Sequence, residues 1–197
     1  VVGILITDTN RPAARPTLDV DLITNVSDRA EYYQVCKVLH AAGFRENSEV
    51  ICRWAKDDVL VDLMPTDPSI LGFSNRWYAL AMQTSIPVIL PSGLIMRHIS
   101  APLFIASKLE SFHGRGKGDY AHHDIEDIIN LIDGRLNLSD ELALAPIEAQ
   151  TFIYREIKEL LLNPNFLAQL PWHLNPASTE QDRSAIIIER LKNLTGP

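Results

Sequence analysis

Three aspartates set in apolar runs are the residues of this chain best suited to chemistry. Two lie in Arg15-Pro16-Thr17-Leu18-Asp19-Val20-Asp21-Leu22, and the third in Val59-Leu60-Val61-Asp62-Leu63-Met64. Strand residues two apart point to the same face, so Asp19 and Asp21 should project together, about 7 Å apart along the strand, while Val20 and Leu22 turn into the core. A charge at Asp62, between apolar neighbours, is costly unless a cation or hydrogen bonds compensate it. Three carboxylates on adjoining strands would hold one or two Mg²⁺ ions, which prefer hard oxygen ligands and the phosphates of a substrate. The plainer reading of Asp19 and Asp21 is the charged solvent face of an edge strand.

The elements that must position these residues follow from the pattern. Thr17 to Thr24 reads as a strand, and Asp28 with Glu31 gives a capping-box-like start to a helix through Ala41, ended by Gly43. Glu49 to Ala55 and Val59 to Met64 read as a hairpin around Lys56-Asp57-Asp58, which would set Asp62 beside the first strand. Ser74 is expected to cap a short helix through Met82, and Ile86 to Leu90 and Leu94 to Ile99 to form strands around Pro91-Ser92-Gly93. From Ser100 the period becomes helical. Pro102, Ile105, Ala106, Leu109 and Phe112 make one apolar stripe, leaving Phe104, Lys108, Ser111 and Arg115 on the other side. Further helices are expected from His122 to Ile132, from a Ser139 cap to Leu162 with a kink or restart at Pro146, and from Thr179 to Leu194. The opening run Val1 to Ile6 is short enough to be either helix or strand. The expected fold is α/β, a mixed sheet with flanking helices over residues 1–99, followed by a helical region over 100–197.

Composition narrows the function. With 197 residues, 46% of them hydrophobic, the chain can bury a substantial core. Its net charge of −7 argues against a broad nucleic-acid-binding surface and favours nucleotides as ligands, though Arg97, Lys108, Arg115 and Lys117 could form a local basic strip. Cys36 and Cys52, both in apolar settings, read as buried thiols of a reducing compartment, and no run of apolar residues suits a membrane span. The expected location is therefore the cytoplasm. The chain opens mid-pattern without a Met, so the natural protein is expected to extend before Val1.

Residues 15 to 133 carry three segments in one order: Arg15-Pro16-Thr17-Leu18-Asp19-Val20-Asp21, then Asp62, then Ser107-Lys108-Leu109-Glu110-Ser111-Phe112 with Gly114-Arg115-Gly116-Lys117 and His123-Asp124-Ile125-Glu126-Asp127. This arrangement resembles the minimal nucleotidyltransferases of the polymerase-β-like superfamily, and most closely the AbiEii-like group linked to toxin-antitoxin and abortive-infection systems. The resemblance implies a metal-dependent transfer of a nucleoside monophosphate from an NTP to a hydroxyl acceptor, a tRNA end or a protein, with a cognate toxin or antitoxin as partner. Asp19, Asp21 and Asp62 would be the catalytic and metal-binding carboxylates for one or two Mg²⁺ ions. Lys108 would be catalytic and, with Arg115 and Thr17, would bind the nucleotide. Asp124 and Asp127, three apart on one helix, are expected to orient Lys108 or Arg115 by ion pairing. The bland reading of Lys108 is a solvated helix face.

The family's Gly-Gly or Gly-Ser pair, which touches the triphosphate ahead of the D-x-D strand, has no counterpart here, since Gly3 stands alone. It is expected just before Val1, and without it a nucleotide-binding or antitoxin-type partner protein would replace the enzyme. A third reading starts from His122-His123-Asp124, whose residue types suit an HD-type metal phosphohydrolase, with His98 or His113 and Asp140 completing the set. It leaves the three aspartates unexplained. Trp54, Trp77 and Trp172 could stack a base, although such aromatics more often pack.

Overall fold

The computed structural model describes residues 2–11, 17, 19–26, 28–174 and 183–196. In chain order its elements are α1 (Val2–Leu5), β1 (Asp19–Thr24), α2 (Arg29–Ala41), β2 (Arg45–Glu46), β3 (Arg53–Lys56), β4 (Val59–Pro65), α3 (Pro68–Leu71), α4 (Tyr78–Gln83), β5 (Ile86–Ile89) and β6 (Ile95–His98). Helices follow: α5 (Ala101–Arg115), α6 (His123–Gly134), α7 (Leu138–Ala143), α8 (Ile147–Leu162), α9 (Pro164–Gln169), a 3-10 turn (Leu170–His173) and α10 (Arg183–Asn193). The fold is mixed α/β, and among the described residues no helix is long and apolar enough to cross a membrane.

The chain forms two compact units, Arg15–Thr84 and a second assembled from Val1–Ala14 with Ser85–Pro197. The four-stranded sheet lies in Arg15–Thr84, and the β5–β6 pair lies in the other unit. Helix α1 belongs with the helices because Thr7 and Asp8 both donate backbone N–H groups to the Gly134 carbonyl at 2.9 Å, and Arg135 donates to the Leu5 carbonyl while its fork grips Glu141 at 2.6 and 2.8 Å.

In Arg15–Thr84 the sheet has the order β1-β4-β3-β2, with β1 parallel to β4 and the other pairs antiparallel. Parallel neighbours need a crossover, which α2 and the following strands supply. Asp28 starts α2 as the sequence suggests, its carboxylate accepting from the Glu31 N–H at 2.9 Å. The β3–β4 hairpin turns at Asp57, whose φ of +51° is one that Asp tolerates better than most residues. Tyr32 and Cys36 of α2 pack over Trp54, Val61 and Leu63, so the helix lies over β3 and β4. Val20 and Leu22 were expected in the core, yet they are 47% and 42% exposed. They face the same side as Val61 and Leu63, but β1 is the edge strand of the sheet.

Ser74 caps no helix. Its hydroxyl donates to the Pro65 and Thr66 carbonyls, and α4 starts only at Tyr78. The short α3, capped by Asp67 with Pro68 in its first turn, fills the gap.

In the other unit β5 and β6 form the expected two-stranded hairpin, and α5 packs on α6 and α8. Ile125, Ile128, Ile129 and Ile132 are buried, as is the stripe from Pro102 to Phe112. Phe104 is buried too, so the apolar face of α5 is wider than one stripe. Ser139 sits inside α7, whose N-cap is Asn137, and α8 restarts after Pro146. Asn163 ends α8 and caps α9, which the sequence reading did not separate. Helix α10 is described over Arg183–Asn193, and the expected start at Thr179 lies outside the described residues.

Candidate functional site

Two polar clusters of the described residues, one in each unit, bear on the expected site. On the sheet, Asp21 is in register with Asp62 across the parallel β1–β4 pair, and Arg53 is in register with Asp62 across β3–β4. Direct partners in a sheet point to the same face, and Asp19 shares that face with Asp21 by the two-residue period. Asp19, Asp21, Asp62 and Arg53 therefore line the side of the sheet opposite α2.

Arg53 organises this face. Its Nε and Nη2 donate to the two oxygens of Asp62 at 2.8 and 2.7 Å, and the same Nη2 donates to Asp19 at 2.6 Å. The Asp62 hydrogen bonds push the guanidinium pKa up, against the opposing effect of burial. Asp62 itself is buried, with the fork supplying the compensation that an aspartate between apolar neighbours requires. The sequence reading missed Arg53, although the hairpin around Asp57 places it opposite Asp62 by counting back from the turn. Thr17 is exposed two residues ahead of Asp19.

The second cluster joins α5 to α6. Asp124 is fully buried at the start of α6. Arg115 Nε and Nη2 donate to its two oxygens at 2.8 and 2.7 Å, and Lys108 Nζ lies 3.2 Å from Asp124 and 2.6 Å from Asp127. Burial pushes the Asp124 carboxyl up, but the Arg115 bonds and the Lys108 and Arg115 charges outweigh it and hold it below the usual carboxylate range. Lys108 and Arg115 are thereby fixed as a pair of cations on a buried anionic base, seven residues apart on one helix. Arg97 on β6 donates to Ser85, just ahead of β5.

His122 and His123 adjoin the same carboxylate. Their ring nitrogens and an Asp124 oxygen lie within 4.8 Å of one another, a group of metal-ligand types. Burial lowers the His123 pKa and favours the neutral, ligating form. Against this, Asp124 already accepts from Arg115, and Lys108 and Arg115 place two positive charges where a cation would enter. Among the described residues the group includes neither His98, which bonds the Ile99 carbonyl at 2.7 Å, nor His113, which pairs with Glu156 at 2.5 Å, nor Asp140. The three aspartates of the sheet share a face without being gathered to that spacing, and Arg53 stands between two of them.

Trp54 and Trp77 are buried and pack, whereas Trp172 is exposed. Compared with family models and with curated proteins, the chain matches none.

Proposed function

We propose that the chain is a metal-dependent nucleotidyltransferase that moves a nucleoside monophosphate from an NTP to a hydroxyl on a tRNA end or a protein. The observation that carries this reading is the register of the sheet, which aligns Asp21 with Asp62 and puts Asp19 on the same face of a parallel pair. Hard carboxylate oxygens on neighbouring strands suit Mg²⁺, and the donor set fits that ion better than a soft metal. Asp19 and Asp21 would hold the ion that clamps the triphosphate, and Asp62 would hold the second and receive the proton of the attacking hydroxyl. Bound Mg²⁺ supplies charge neutralisation on the attacking and leaving oxygens.

Lys108 and Arg115, on the other unit, form a cation pair whose chemistry suits phosphate oxygens. A cation held by a buried carboxylate loses little side-chain freedom when it meets a phosphate oxygen, so the Asp124–Asp127 base favours such a role. A role within a toxin-antitoxin pair belongs to the same reading.

The His122, His123 and Asp124 group favours a second reading, a metal phosphohydrolase. The two differ in product and in the residues they need. With each NTP labelled at the α-phosphate, total tRNA and cell lysate, a transferase labels a polymer and depends on Asp19. A phosphohydrolase labels none and depends on His123.

A further inference from the structure

Arg53 is placed where the metal reading needs a cation. One of its nitrogens bridges Asp19 and Asp62, and the rest of its fork closes on Asp62. Two carboxylates brought together on one face repel unless a positive charge lies between them, and the guanidinium supplies it. A divalent ion that ligates the same oxygens cannot share that position with it. Arginine stays protonated in proteins, so only competition can remove it. Its side chain is 24% exposed, which leaves it a way out toward solvent while β3 keeps its backbone opposite Asp62.

We propose that Arg53 is the aspartate site's built-in counter-cation, holding Asp19 and Asp62 at cation spacing until a divalent metal displaces it, after which the freed guanidinium takes a phosphate oxygen of the nucleotide. Metal and nucleotide then bind cooperatively. The metal alone must displace a bidentate ion pair, whereas the metal arriving with a triphosphate gives Arg53 a new anion to fork. This inference rests on the reading of Asp19, Asp21 and Asp62 as metal ligands and assigns Arg53 a positioning role beside them.

The test is Mn²⁺ binding by wild type and Arg53→Met, followed by electron paramagnetic resonance of the free ion, with and without an ATP analogue whose α,β bridge cannot be cleaved. Arg53→Met should bind Mn²⁺ alone roughly tenfold or more tightly than wild type, because a competing positive charge has been removed. The analogue should tighten Mn²⁺ binding in wild type and much less so in the variant. Arg53→Lys, too short to bridge two carboxylates, should fall between them and serves if the Met variant does not fold. A merely structural ion pair would lower the melting temperature in Arg53→Met and leave Mn²⁺ affinity and its coupling to the analogue unchanged, which would overturn the proposal while the metal site stands. If neither protein binds Mn²⁺ with or without the analogue, the metal reading fails and the Arg53 role goes with it.

Discussion

At the scale of single residues the two clusters predict opposite trade-offs between activity and stability. Asp19 meets Arg53 through a partly exposed ion pair, a type of contact worth at most about 1 kcal/mol. Asp19→Ala should therefore leave the metal-free melting temperature nearly unchanged and, on the proposed reading, lower transfer by at least about a hundredfold, since the proposed metal would lose a ligand. Asp124 is the reverse case. Replacing it with Asn leaves Arg115 and Lys108 without their shared anion and should cost about 3 kcal/mol by denaturant unfolding. Its folded pKa lies below the ordinary 3.8, so its contribution to stability is complete above that value and is lost as the pH falls through the folded pKa. Wild type should accordingly lose stability below about pH 4, and Asp124→Asn should lack that part of the acid slope.

At the scale of elements, the strands and helices with a local signature were legible. The Asp28 cap, the hairpin turn at Asp57, the Pro91-Ser92-Gly93 turn and the isoleucine face of α6 follow from cap, turn and period, which are properties of neighbouring residues. The burial of Val20 and Leu22 was not, because it depends on which strand lies at the sheet edge. The same holds for α1, where an apolar run of ambiguous period became helix once Gly134 gave it a place to dock. A Cβ on Gly134 would approach the Ile6 side chain to 2.8 Å, and its carbonyl serves Thr7 and Asp8. Gly134→Ala should destabilise the helical unit by about 1–2 kcal/mol through overpacking, and hydrogen exchange should show α1 and the Thr7 and Asp8 amides losing protection first. Of the candidate site, the three aspartates and the Lys108–Arg115 pair were visible as spacing, whereas Arg53 required the strand register.

At the scale of the whole molecule, the sheet unit carries the carboxylates and the helical unit carries the cation pair. On the proposed reading, Mg²⁺ with an uncleavable ATP analogue at a hundred times its dissociation constant should stabilise the chain by about 2.7 kcal/mol. Asp19→Ala and Lys108→Met should each reduce that gain, as read by a thermal shift with and without ligand. The central claim is the transfer of a nucleoside monophosphate by an aspartate-bound metal. The most direct measurement supplies the protein with Mg²⁺, tRNA and lysate and an NTP labelled in parallel at the α- or γ-phosphate, using wild type and Asp19→Ala. The account predicts that wild type moves only the α-label into a polymer and releases the γ-label as pyrophosphate, and that Asp19→Ala does neither. Equal transfer by Asp19→Ala, or incorporation of the γ-label, would contradict it.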